Sequence, residues 1–61
     1  MNNMECTIDK FKFSLNDNGS ISVYQKNSLT IVTTFYPAEN IETQKDFDIE
    51  CSDFYMKSLL Y

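Results

Sequence analysis

The sequence predicts a small α+β domain: a four-stranded, mostly antiparallel sheet with a C-terminal helix packed on one face. Three observations predict it. Apolar and polar residues alternate with a period of two around Phe11–Leu15, Ile21–Val23 and Phe47–Cys51. Recognisable turn residues separate these runs, and a helical stripe is confined to the last ten residues. The 61 residues are read as one domain, 1–61. A domain this short buries only about 60% of the surface its unfolded chain exposes, so its stability margin is thin.

The first strand is expected in "TIDKFKFSL", where Phe11, Phe13 and Leu15 alternate with Lys10, Lys12 and Ser14. Ile8 falls on the opposite parity, which suggests a bulge near Asp9 or a second apolar face. The turn "NDNGS" leads into "SISVYQ". A two-residue Asn18-Gly19 loop would set Leu15 opposite Ser22. A three-residue Asp17-Asn18-Gly19 loop pairs Leu15 with Ile21 and Phe13 with Val23, making one face uniformly apolar, with Gly19 in the left-handed position of a bulge.

After "KNS", "LTIVTTFY" reads as the third strand, rich in β-branched and aromatic residues. Leu29, Ile31 and Phe35 continue the core face, while Val32 and Tyr36 place apolar groups on the other, as in a strand that is central or covered on both sides. Pro37 ends it, and "PAENIETQ" is a helical turn or a loop with Ala38 and Ile41 as its apolar residues. In "KDFDIECSDF", Asp46, Asp48 and Glu50 alternate with Phe47, Ile49 and Cys51. As strand four, this run would line up three carboxylates over roughly 13–14 Å on the outer side. The ending "SDFYMKSLLY" reads as the helix, with Ser52 as N-cap and Asp53 in its first turn. Tyr55, Met56, Leu59 and Leu60 would then dock on the sheet, leaving Phe54 and Tyr61 outward.

Composition excludes several kinds of chemistry. The formal net charge is −4, with nine acids, five Lys and no Arg, so direct binding to a nucleic-acid backbone is disfavoured and a basic partner favoured. There is no His, and neither Cys6 nor Cys51 has the partner a thiol nucleophile needs; no phosphate loop or serine elbow is present, so no enzymatic activity is expected. No metal and no cofactor are expected either, because the acidic run lacks the Gly and Glu of a calcium loop and two cysteines without His cannot build a zinc site. The N-terminus "MNNMEC" lacks the pattern of a secretory signal and no apolar run approaches membrane-spanning length, so a cytoplasmic protein with reduced thiols is expected.

Three functions follow as expectations. The first is a small acidic inhibitor acting through protein-protein interaction, encoded by a bacteriophage and anti-defence in role, as the AT-rich codon bias implied by its Asn, Lys, Ile, Tyr and Phe content suggests. It would block a basic host protein or nucleic-acid-binding complex through Asp46, Asp48, Glu50, Asp53, Phe54 and Tyr61. The second is a homo-oligomeric sponge for a small nucleotide signal, and the third an orphan structural subunit of a larger complex. An outer apolar set, Ile8, Tyr24, Val32 and Tyr36, is the expected oligomer interface, with a homodimer or higher oligomer weighed equally against a monomer.

Overall fold

The computed structural model describes residues Met4–Leu60. Four strands, β1 (Glu5–Ile8), β2 (Phe11–Leu15), β3 (Ile21–Gln25) and β4 (Ile31–Phe35), form an antiparallel sheet in the order β1-β2-β3-β4. A helix, α1 (Gln44–Phe54), follows and passes into a π-helical turn at Tyr55–Leu59. The class is therefore α+β, four antiparallel strands with a C-terminal helix on one face, but two of its parts differ in origin from the sequence expectation.

The first difference is that "TIDKFKFSL" is a hairpin rather than one strand. Asp9 adopts φ 55° and turns the chain with Lys10, so that Ile8 faces Phe11 and Cys6 faces Phe13. Asp tolerates the left-handed region better than most residues because its short side chain bonds locally. The turn also explains the parity of Ile8: crossing two residues and reversing direction returns it to the core side. Ile8 packs against the buried cluster, which corrects its expected place on the outer face.

The second difference is that "KDFDIECSDF" is helical. Thr43 caps the helix, its Oγ1 accepting from the Asp46 amide at 3.2 Å. The Asp46 carboxylate in turn accepts from the amides of Thr43 at 3.2 Å and Glu42 at 3.1 Å. This reciprocal box satisfies amides that the first helical turn leaves without partners. Phe47, Cys51 and Phe54 recur at i, i+4 and i+7 and face the sheet, whereas Ile49, expected in the core, is 55% exposed. Ser52, expected as the cap, lies within the helix and is exposed. "PAENIE" is not helical; Ile41 packs against the core, and the Ala38 amide donates to Glu50 Oε1 at 3.1 Å.

The hairpin of β2 and β3 has the expected register, Leu15 opposite Ile21 and Phe13 opposite Val23. Asn16 and Ser20 close the loop through a 2.8 Å backbone bond, and Gly19 sits at φ 90°. Asn18 Oδ1 accepts from both the amide and the hydroxyl of Ser20, which secures the turn from inside.

β4 begins at Ile31, leaving Leu29 94% exposed in the preceding loop rather than on the core face. Val23 pairs with Thr33, but Tyr24 pairs with Ile31, so Val32 is an extra residue in β4. This bulge turns Ile31 to the outer side with Tyr24, away from its expected core position. β4 is also an edge strand, not a central one.

Phe11, Phe13, Ile21 and Val23 of the sheet and Phe47 and Cys51 of α1 form the buried core. Phe54, expected to point outward, instead stacks on Phe35 with ring centres 3.9 Å apart and planes 1° from parallel. Phe35 meets Phe13 edge-on at 6.5 Å, and Tyr55 meets Phe11 edge-on at 6.2 Å. The π turn corrects the helix's phase. Continuing with i+4 spacing from Phe54 would aim Ser58 at the sheet; the wider turn, closed by the Leu60 amide on the Tyr55 carbonyl at 2.9 Å, brings Leu59 there instead. Met56 and Leu60, expected to dock, remain more than half exposed.

Candidate functional site

Charge is divided unevenly between the two parts of the fold. Residues 4–35 carry three acids (Glu5, Asp9, Asp17) and three lysines (Lys10, Lys12, Lys26). Residues 36–60 carry six acids and two lysines, so the whole formal charge of −4 resides there, half of it on Glu39 and Glu42 in the loop before α1 and half on α1 with its π turn. At about 100° per residue, Lys45, Ile49 and Ser52 form the ridge of α1 opposite Phe47, Cys51 and Phe54. Asp46, Glu50 and Asp53 lie along one flank of that ridge, and Asp48 lies on the other. The acids therefore do not form the single strand row expected from their alternation; they stand on both sides of an outward helical ridge.

Backbone and side-chain amides position these carboxylates more than lysines do. Asp46 serves the N-terminal box, and Glu50 accepts from Ala38. Asp48 Oδ1 accepts from Gln44 Nε2 at 2.8 Å, and the same amide group reaches the Glu5 carbonyl at 3.2 Å, tying the helix to β1. Amide donors orient a carboxylate without removing its charge. The bonds from the Glu42 amide, above all, and from Thr43 hold the Asp46 carboxyl below the usual carboxylate range, so it stays ionised at neutral pH. Among the described residues, the ion pairs are Lys57 with Asp53 at 3.2 Å and Lys12 with Glu5 at 3.6 Å. Both are exposed and weak. Lys10 and Lys12 therefore do not neutralise Asp46, Asp48 or Glu50.

Ile49 and Met56, each more than half exposed, border a shallow groove of about 350 Å³ on this side, shared with Lys45, Asp48, Ser52 and Asp53. Exposed apolar groups flanked by carboxylates, Asp48 without an ion pair among the described residues and Asp53 paired with Lys57, are what a helix offers to a partner with an apolar floor and a basic rim. Phe54, which is committed to the sheet, is not part of this surface. Tyr61 lies outside the described residues.

The outer sheet face is a separate surface. Tyr24 lies on it by register, as do Ile31 and Val32 around the bulge, and Tyr36 continues the alternation through Thr34. Three members of the expected apolar set, Tyr24, Val32 and Tyr36, thus share this face, and Ile8 does not. Lys12, Tyr24, Lys26 and Glu5 border a hollow of about 440 Å³ there.

Cys6 on β1 and Cys51 on α1 are free thiols on the core side of the fold. Burial raises both above the ordinary thiol value, Cys51 far above it, and the Asp48 charge raises Cys6 further. Both are protonated and poorly nucleophilic at neutral pH. Their low reactivity could not be ranked from sequence, because the expected strand put Cys51 in the core without placing Asp48 beside Cys6. No helix among the described residues is long and apolar enough to cross a membrane. No family model, curated protein or solved structure matches the chain.

Proposed function

We propose that the chain is a protein-binding inhibitor, phage-encoded and directed against host defence, that sets the outer ridge of α1 against a basic, nucleic-acid-handling protein. The observation that carries this reading is the confinement of the net charge to α1 and the loop that leads into it, with Asp46, Asp48 and Glu50 hydrogen-bonded to amides and none of the three in an ion pair among the described residues. Ile49 and Met56 supply the apolar contact that charge alone lacks. A field of one sign on one side speeds encounter with a cationic groove and orients the molecule as it approaches.

The experiment is recovery of the partner on the tagged chain from its native host, followed by binding measurements at low and high salt. The partner should be a nucleic-acid-binding protein whose substrate is displaced by the chain, and binding should weaken steeply with salt. The double charge reversal Asp48→Lys with Glu50→Lys should weaken it at least tenfold. A partner bound equally well at high salt and by the double variant removes the proposal.

A second reading, a sponge for a small nucleotide, is favoured by one feature: Lys12, Lys26 and Tyr24 line the same outer hollow. Saturable thermal stabilisation by nucleotides, abolished by Lys12→Ala with Lys26→Ala, would support it over the inhibitor.

A further inference from the structure

We infer that β4 is a self-pairing edge: it aligns antiparallel with β4 of a second copy, centred on Thr34, to make a continuous eight-stranded sheet. This is independent of the reading given to α1. Three features of the edge carry it. Among the described residues β4 borders β3 on one side only, so its other side carries a row of peptide groups that no described strand pairs. No Asp, Glu, Lys or Arg occurs from Asn27 to Tyr36, and protected edges ordinarily carry such a charge. Four large exposed apolar side chains, Leu29, Ile31, Val32 and Tyr36, are concentrated within eight residues at this edge.

The occupant follows from the sequence of the strand itself. In an antiparallel pair centred on Thr34, Val32 of one copy lies opposite Tyr36 of the other, and the symmetry repeats the contact. Each pair joins a β-branched to an aromatic side chain, a favourable cross-strand combination. Both residues are on the outer face, so opposite partners in the ladder share a side as antiparallel geometry requires. Thr34, which pairs with Ser22 within the chain, meets its own copy at the twofold axis without any charge conflict. The bulge at Val32 and Pro37 together limit the pairing segment to the five residues 32–36.

The test uses the full chain and two single substitutions at the exposed axis position. Sedimentation equilibrium from low micromolar to near-millimolar concentration should show a species of twice the 7.1 kDa monomer mass. Hydrogen exchange at residues 32–36 should slow as that species forms. Thr34→Lys and Thr34→Glu each place like charges face to face and should weaken association at least tenfold, with circular dichroism unchanged. Mixed in equal amounts, the two variants should associate again as heterodimers, a rescue that a misfolded variant cannot give. A wild-type chain that remains monomeric throughout, a dimer indifferent to both substitutions, or a mixture that fails to reassociate overturns the inference. So does a monomer whose β4 is covered only by a strand of a different protein.

Discussion

Ile49 and Phe47 are two positions apart, and a strand would put both in the core; the helix puts one inside and one out. Phe47 is fully buried between the sheet and α1, whereas Ile49 is 55% exposed. At about 0.05–0.15 kcal/mol per residue, the 61-residue chain has a net stability of about 3–9 kcal/mol. Phe47→Ala removes a ring from a packed interior and should cost about 3–5 kcal/mol, a third or more of that total. Ile49→Lys leaves the interior untouched and replaces a β-branched residue by a slightly better helix former, so it should change stability by no more than about 0.5 kcal/mol. In a domain this small, 1 kcal/mol moves the melting temperature by roughly 4–8 °C. Thermal and urea unfolding followed by circular dichroism should therefore show Ile49→Lys within a few degrees of the parent. Phe47→Ala should melt at least about 12 °C lower or fail to fold. Comparable losses for the two variants would refute the helical placement of residues 44–54 and every statement about the outer ridge that depends on it.

Thr43→Ala removes the side-chain half of the N-terminal box and should cost about 1 kcal/mol, read as a lower urea midpoint with an unchanged slope. Gly19→Ala should cost about 1–2 kcal/mol, purely from backbone strain at φ 90°, because an added Cβ meets no atom within 4 Å. Asp46, whose carboxyl is held below its ordinary value, contributes stability that is complete above the unfolded carboxylate pKa of about 3.9 and is lost as pH falls through the lower folded value. An acid titration of stability should show this component, and Asp46→Asn should abolish it. Alkylation at mildly alkaline pH followed by mass spectrometry should modify half-buried Cys6 before Cys51, because Cys51 is fully buried and its thiol is raised further.

The parts of the fold that were legible in the sequence are those set by local geometry. The register of β2 and β3 follows from requiring one apolar face across a loop containing a single Gly, a constraint that involves no distant residue. Residues 46–51 were not legible from their alternation, because Phe47 and Cys51, four apart, satisfy a strand and a helix equally. The signal that separates the two lies just upstream, in Thr43 and Asp46 three residues apart. It is easy to miss because Asp stands where Glu or Gln usually completes the box. The Asp9-Lys10 turn was hidden for a similar reason, lacking the Asn-Gly or Gly-Gly signal of a tight hairpin. Parity alone puts Tyr24, Val32 and Tyr36 on one face, and the register of the sheet does the same. Parity misplaces Ile8 and Phe54, because each lies next to an element boundary that the alternation does not reveal. The division of charge between the two halves can be counted in the sequence, but its meaning depends on knowing that four of the six acids in the second half stand on a helix.

The π turn at Tyr55–Leu59 works like a one-residue shim at the end of a rod. Removing a single residue from it, such as Lys57, would let ordinary helical winding resume and still deliver the same leucine to the underside. The same deletion one turn earlier, between Phe47 and Cys51, would rotate every later side chain away from its seat. Tolerance to length change should therefore rise abruptly at the point where the helix widens.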